Sequence, residues 1–230
     1  MKPDIGSIVD LLHRCAYASL ATNARDLSGY PFLSVLPVVL DERHCPILLI
    51  SDLAEHTRNL RSDARASLLL FDPGTNDLQA GARLTLIGEI RPFAAGPALI
   101  ERYLRYQPKA ERLLCLGDFH FFRMHLQRLR FIGGFGHMGW LDGDALELLE
   151  PVSLTAEGAL LAELSARVRP GPKLLGVDRW GFDLDVRGAR RRISLASSPV
   201  ADDGLADAIM AALETEEESA PPDGGAREPQ

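Results

Sequence analysis

The sequence predicts an α+β fold, with an antiparallel, barrel-like β-domain at residues 1–150 and a small α/β domain at residues 151–214. Two observations support this prediction. Short apolar or β-branched runs, separated by clusters of Gly, Asp, Asn and Pro, are typical of antiparallel strands curled into a barrel or a sandwich. Near residues 150–155 the pattern changes, and helical periodicity replaces the strand rhythm.

Each predicted strand of the first domain is a short run of this kind. The runs are Tyr17–Thr22, Phe32–Leu40, Pro46–Ser51, Ala66–Asp72, Arg83–Arg91, Phe119–His125 and Leu129–Gly133. Peripheral helices are expected before the first run and between later ones, where Pro97 suits the first turn of a helix and Gly117 ends the next helical segment. The glycines at 133–136 indicate a bulge or a close backbone approach.

The second domain alternates helical and strand patterns. An amphipathic helix around Leu164 opens it, and the prolines at 170 and 172 must end that helix. Residues 182–186 alternate apolar and polar side chains as a half-buried strand does, and Gly188-Ala189 suits a two-residue type II′ hairpin turn. A closing helix is expected through Leu213.

The acidity of the chain is concentrated at its C-terminal end. The net charge is −7, but residues 201–230 hold nine acidic residues and one basic residue, so they carry −8 and residues 1–200 carry +1. A nearly neutral body lacks the basic face that broad nucleic-acid binding needs, so no nucleic-acid partner is expected. Residues 215–230 are too polar and proline-rich to bury surface, which predicts a disordered acidic tail.

We expect a cytoplasmic protein without a membrane partner. No apolar run reaches the roughly 18 residues of a membrane-spanning helix, and the N-terminus lacks the pattern of a secretory signal. Three widely spaced cysteines, Cys15, Cys45 and Cys115, indicate reduced thiols rather than disulfides. The six histidines are scattered without metal-ligand spacing, so no metal site is expected.

Residues 51–59 form the first candidate site. Asp52 and Glu55 have the spacing of a capping box, so a strand ends here in a helix. The free backbone N–H groups of that helix, together with Arg58, can hold an anion such as a phosphate or a propionate. The alternative is that Asp52 only caps the helix and Arg58 is solvated, because caps are far commoner than anion sites.

Two further charged residues are candidates by their position. Arg83 stands at the start of a strand, where a guanidinium can clamp a carboxylate or can instead be a solvent-exposed strand end. Asp118 precedes an aromatic strand, so it can be partly desolvated and need a partner, or it can be only a turn residue between a helix and a strand.

Four motifs, SDLAEHTRNL, ARLTL, GDFHFF and FIGGFG, follow the strand ASLAT in this order. In this arrangement the sequence resembles the haem iron utilisation family, a branch of the pyridoxamine 5′-phosphate oxidase-like, FMN-binding split barrels. The segment from Gly176 to Leu213, which begins GVDRWGFDL, is similar to a small α/β domain often attached to that family. The resemblance covers nearly the whole chain and implies an antiparallel split β-barrel.

The resemblance also implies a homodimer whose cofactor pockets lie at the subunit interface. It matches the cofactor-binding positions of haem-degrading members to Thr22, His56, Arg83 and Asp118. Arg83 would face a haem propionate, and Asp118 would hydrogen-bond the histidine that ligates the iron. Thr22 would support the proximal side of the haem.

Two cofactors remain open, haem and FMN. In flavin-binding relatives the region from Ser51 to Asn59 approaches the cofactor phosphate, and Arg58 matches part of their basic cluster. Haem-degrading members take their axial histidine from a segment after the barrel, and this sequence has no histidine beyond His137. The hypotheses are therefore a haem-binding protein of haem iron utilisation, an FMN-dependent oxidoreductase, or a non-catalytic binding or regulatory module.

Overall fold

The computed structural model describes residues 3–77, 79–134, 137–167, 172–196 and 198–219. These residues form a curled antiparallel sheet of eight strands, a second sheet of three strands, and seven helices. The strands are β1 (Tyr17–Asn23), β2 (Pro31–Pro37), β3 (Val39–Leu40), β4 (Pro46–Ser51), β5 (Arg65–Phe71), β6 (Arg83–Pro92), β7 (Phe119–Ile132), β8 (Met138–Asp142), β9 (Lys173–Asp178), β10 (Gly181–Val186) and β11 (Ala189–Ser194). The helices are α1 (Ile5–Arg14), α2 (Glu55–Ser62), α3 (Pro97–Tyr106), α4 (Ala110–Leu114), α5 (Asp144–Glu147), α6 (Leu154–Arg167) and α7 (Asp202–Ser219). None of these helices combines the length and hydrophobicity needed to cross a lipid bilayer.

The large sheet forms the split barrel. Its strand order is β2-β1-β5-β6-β7-β4-β3, and β8 pairs with β7 outside this path. Alternate side chains of each strand point into an aliphatic core, as Ala18 and Leu20 of β1 do, because successive residues of a strand face opposite sides. Helix α1 packs on this core with Ile8 and Leu12 fully buried. The predicted α+β class and split barrel are confirmed.

One long strand replaces two predicted ones. β7 continues without interruption because β4 pairs with residues 119–123 and β6 pairs with residues 122–132, so the two partners overlap. The register with β6 shifts between Ile87 and Gly88. A Cβ at Gly88 would lie 2.1 Å from the carbonyl oxygen of His125, so the close approach needs glycine there. Gly133 and Gly134 begin the connection from β7 to β8, a strand that the sequence did not predict. Residues 135–136 lie outside the described residues.

The small sheet has the order β11-β10-β9 and carries its own hydrophobic cluster with α6 and α7. Val186 pairs with Ala189, so the hairpin turn is Arg187-Gly188 and not Gly188-Ala189. Both turn residues have positive φ (56° and 86°), as a type I′ turn requires. The predicted type II′ turn is therefore wrong by one residue, because Asp185 Oδ1 accepts the Gly188 N–H and fixes the earlier register.

The last helix is longer than the sequence pattern indicates. α7 continues to Ser219, beyond Thr215, where we expected the tail to begin. Arg191 Nη2 lies 2.6 Å from Glu216 Oε2, an ion pair that joins this part of the helix to β11. Residues 220–230 of the predicted tail, and residues 168–171 at the predicted end of α6, lie outside the described residues.

Candidate functional site

A cleft lies on the barrel surface beside β1, β2 and β4 and the helices α2, α3 and α4. Its volume is about 400 Å³, which is within the range of small-molecule sites. The lining is mainly apolar. It consists of Tyr17, Leu36, Pro37, Leu49, Ile50, Ser51, Ala54, His56, Tyr103, Gln107, Lys109, Ala110, Leu113 and Phe119. We call this region the cleft.

Ser51 and Asp118 meet at the edge of the cleft. Ser51 ends β4, and Asp118 directly precedes β7, which pairs with β4. The Ser51 hydroxyl donates to Asp118 Oδ2 at 2.6 Å, and the Asp52 N–H donates to the Asp118 carbonyl at 2.8 Å. The half-buried Asp118 carboxylate thus has the partner that partial desolvation requires. Strand pairing joins these two candidate residues across 67 positions of sequence.

The capping-box prediction for Asp52 is wrong. The N-cap of α2 is Ala54, and no side chain caps this helix. Asp52 instead accepts from Arg61 Nη2 at 2.5 Å and lies 3.2 Å from His120 Nε2. Its carboxylate therefore pairs with Arg61 at the end of α2 and contacts His120 of β7, which local spacing cannot reveal. The first turn of α2 keeps its N–H groups free of side-chain caps.

His56 and Arg58 lie in different surroundings. His56 is half-buried and lines the cleft. Burial lowers its pKa below the ordinary value, so its imidazole is neutral near pH 7. Arg58 is exposed and is absent from the cleft lining, and its Nη1 lies 3.6 Å from Glu55 Oε2.

Thr22 of β1 and Asn59 of α2 form a buried pair. Their exposed fractions are 3% and 0%. Asn59 Nδ2 donates to Thr22 Oγ1 at 3.1 Å, and Asn59 Oδ1 accepts the Arg25 N–H at 2.9 Å. Both ends of the Asn59 amide therefore bind protein groups, and the pair fixes α2 against β1.

Arg83 lies at the other end of the barrel. It begins β6 opposite Ile132, the last residue of β7, whereas Asp118 precedes the first residue of β7. The two residues are thus separated by a strand of 14 residues, about 45 Å measured along the extended backbone. Arg83 Nη1 donates to the Gln79 carbonyl at 3.1 Å, so the side chain folds back on the preceding loop.

A second concavity lies on the outer face of the large sheet. This groove of about 470 Å³ is more open than the cleft, and Thr22, Ile87 and Glu89 are among its lining residues. Arg65, which also lines it, is paired with Asp63 at 2.5 Å. Compared with this groove, the cleft is the better candidate because it is more enclosed, more apolar and contains the half-buried His56.

Sequence patterns did not identify the helical wall of the cleft. Tyr103 lies on the apolar stripe of α3, which predicts packing but not the strand against which the helix packs. It is 2% exposed, and burial raises the pKa of its phenol to about 12, so the hydroxyl stays protonated. Lys109, between α3 and α4, carries no local signal for a role at the cleft.

Two curated relatives match part of the chain. Over 118 aligned residues, this chain is 33% identical to the non-canonical heme oxygenase HOZ, chloroplastic, of Arabidopsis thaliana. The alignment covers 50% of this chain and 36% of that protein. The chain is 29% identical over 133 residues to the heme oxygenase HutZ of Vibrio cholerae, covering 53% of this chain and 72% of that protein. The chain thus spans only about a third of the length of the first relative.

Two solved structures match nearly the whole chain. A heme binding protein from Mycobacterium smegmatis is 26% identical with a TM-score of 0.60, covering 95% of this chain and 100% of that chain. The protein Atu2129 of unknown function from Agrobacterium tumefaciens is 24% identical with a TM-score of 0.64, covering 94% of both chains, and shows the shared fold. The family model described as "CREG, beta-barrel" matches residues 9–147. Since this match covers more than half of its residues, the chain belongs to the CREG beta-barrel family.

Proposed function

We propose that this protein binds haem in the cleft, as a homodimer, and takes part in haem iron utilisation. The observation that carries the proposal is a neutral, half-buried imidazole, His56, on the wall of a mainly apolar cleft. The full-length similarity to a heme binding protein supports it. Degradation of the bound haem is the activity that the names of the two curated relatives suggest.

The residues of the cleft fit the chemistry of haem. A flat apolar macrocycle needs apolar walls, which Leu49, Tyr103 and Leu113 provide. Haem iron needs an axial donor, and a neutral imidazole is a common one. His56 would hold the iron, and the bound group would supply a redox-active metal. The exposed Lys109 would pair with a propionate at the rim.

The FMN alternative fits this cleft less well. An uncapped first turn of α2 beside Ser51 is suited to a phosphate. However, three carboxylates, those of Asp52, Glu55 and Asp118, lie in the same region. Arg61 is already paired with Asp52, and Arg58 is paired with Glu55. A phosphate dianion would add negative charge to this surface, whereas the uncharged face of a macrocycle would not.

A second copy of the chain would cover an exposed apolar surface next to the cleft. On β1, Tyr17 is 61% exposed. On the edge strand β2, Leu33 and Val35 are 66% and 71% exposed. Such a surface on an edge strand favours pairing with another chain. If Arg83 also faces a propionate, it must come from the partner copy, because β7 separates Arg83 from Asp118 within one chain.

The domain division and the compartment belong to the same proposal. Residues 1–150 would hold the cofactor, and residues 151–214 would form the attached domain. A cytoplasmic setting is supported by the free thiols of Cys15, Cys45 and Cys115 in the described structure, because thiols stay reduced in that compartment.

The first experiment tests His56. Haemin is titrated into the wild type, His56→Ala and the control His125→Ala, whose imidazole is exposed and outside the cleft. We expect His56→Ala to shift the Soret band and to weaken binding about tenfold or more, in line with loss of a ligand. His125→Ala should match the wild type. Equal spectra and affinities for all three proteins would refute ligation by His56.

The second experiment tests whether two copies share the site. His56→Ala and Arg83→Ala chains are mixed, unfolded and refolded together, so that mixed dimers form. If each site takes His56 from one chain and Arg83 from the other, a mixed dimer regains one intact site that neither parent has. A mixture that binds no better than the average of its parents would contradict the shared site, and a light-scattering mass of 25.2 kDa would exclude the dimer.

A further inference from the structure

A buried polar cluster joins the small sheet to the barrel, outside the cleft. His13 comes from α1, His44 from the turn between β3 and β4, and Asp178 from the end of β9. Their exposed fractions are 2%, 2% and 6%. His13 Nε2 lies 3.0 Å from His44 Nδ1 and 3.2 Å from Asp178 Oδ2, and the three donor atoms lie within 4.8 Å of one another.

We propose that His13, His44 and Asp178 bind one divalent transition-metal ion of the zinc class. Two imidazole nitrogens and a carboxylate oxygen are a donor set that zinc accepts. Bonds of about 2.0–2.2 Å from a tetrahedral ion place neighbouring donor atoms roughly 3.3 Å apart. The two separations from His13 Nε2 are within a few tenths of an ångström of that value.

The groups behind these donors orient them for a metal. Asp183 Oδ2 lies 2.7 Å from His13 Nδ1, so the opposite ring nitrogen, Nε2, is the one that faces His44 and Asp178. A carboxylate behind a histidine ligand is the usual arrangement at zinc sites. The carboxylate of Asp178 is fixed by the N–H groups of Trp180 and Gly181, at 2.8 and 3.2 Å from Oδ1.

The backbone at His44 is held in a conformation that its residue type disfavours. Its φ is +60°, in the left-handed region that side chains other than glycine rarely adopt. Asp41 holds the turn by accepting the N–H groups of Arg43 and Cys45, both at 2.9 Å. Such conformations persist where the surroundings impose them, often at functional sites. Glycine or asparagine would adopt this backbone conformation at lower energetic cost, yet the turn carries a histidine whose side chain lies in the cluster.

The charges of the cluster favour a divalent cation. The carboxylates of Asp10, Asp178 and Asp183 all contact the guanidinium of Arg192, so these four side chains carry a net charge of −2. Buried charge is costly unless it is compensated. A divalent ion has the charge that balances these four side chains. Arg192 shares Asp178 Oδ2 with the proposed ion, and the three carboxylates offset that repulsion.

The proposed ion would connect three parts of the fold. Its ligands lie on the first helix, on the barrel and on the small sheet, so the ion would hold the small sheet on the barrel. Because the site forms only in the folded chain, metal binding would stabilise that docking. The site is independent of the haem proposal, since none of its residues lines the cleft.

The test uses the full chain, freed of metal by a chelator and then titrated with Co²⁺ and with Zn²⁺. The wild type should take up one ion per chain, with the visible absorption bands of protein-bound Co²⁺, and its melting temperature should rise. His44→Asn should bind Co²⁺ at least about tenfold more weakly than the wild type. Asparagine tolerates positive φ, so this variant should keep the circular dichroism of the folded protein. His120→Ala, which removes an exposed imidazole, is the matched control.

Two results would overturn the proposal. One is a folded wild type that takes up no more Co²⁺ than folded His44→Asn. The other is Co²⁺ uptake that survives in His44→Asn and is lost in His56→Ala or His120→Ala, which would put the ion elsewhere. In either case the cluster would be a hydrogen-bonded connection between the barrel and the small sheet.

Discussion

The buried pair Thr22–Asn59 gives a sharp prediction, because the Asn59 amide already has two protein partners. Asn59→Ala removes the bond from Nδ2 to Thr22 Oγ1 at 3.1 Å and leaves the Arg25 N–H without its acceptor at 2.9 Å. Two net hydrogen bonds and a partly buried unpaired group together cost about 2–3 kcal/mol. For a chain of this size the melting temperature should fall by roughly 4–12 °C.

Urea denaturation and calorimetry measure this loss directly, and haemin titration of the same variant measures its affinity. Asn76→Ala, in an exposed loop, is the matched control and should change stability by less than about 0.5 kcal/mol. We expect Asn59→Ala to lose stability while the folded fraction keeps its haem affinity. A variant that stays within about 1 kcal/mol of the wild type but loses haem binding would refute the structural role of Asn59.

Three further predictions follow from burial, charge and composition. In native protein at pH 8 a thiol reagent should modify only the exposed Cys115. Burial raises the pKa of Cys15 and Cys45 to about 12 and keeps these two thiols protonated. After unfolding, all three thiols should react. Arg83→Ala should weaken haem binding, measured by absorbance titration, by on the order of 1.5–3 kcal/mol, the range for hydrogen bonds to charged groups. An unchanged haem affinity would show that Arg83 is not part of the site. Truncation after Ser219 should leave the melting temperature unchanged, because residues 220–230 are polar and proline-rich; a fall of several degrees would show that they pack on the fold.

Local sequence patterns were sufficient for most strands and helices. The run Pro46–Ser51 is apolar and ends at turn residues, and its predicted bounds are those of β4. Pro97 begins α3 as expected, because a missing N–H costs nothing in the first turn of a helix. These features depend on neighbours a few residues apart, which a sequence pattern records.

Features set by distant contacts were not predictable. The capping-box spacing of Asp52 and Glu55 is real, but Arg61 and His120 bind the Asp52 carboxylate instead. The buried cluster of His13, His44 and Asp178 draws its members from three regions of the chain, so their spacing carries no metal-site motif. The motifs that support the family resemblance do not reveal this buried cluster either.

The most direct test of the account is a titration of the purified wild type with haemin and, separately, with riboflavin phosphate, followed by absorbance. If the protein binds haem, the Soret band should saturate with a dissociation constant tighter than about 100 μM, roughly −5.5 kcal/mol, and riboflavin phosphate should bind more weakly. Tighter binding of riboflavin phosphate would contradict the choice of cofactor. A wild type that binds neither compound more tightly than this limit would contradict the haem-binding function itself.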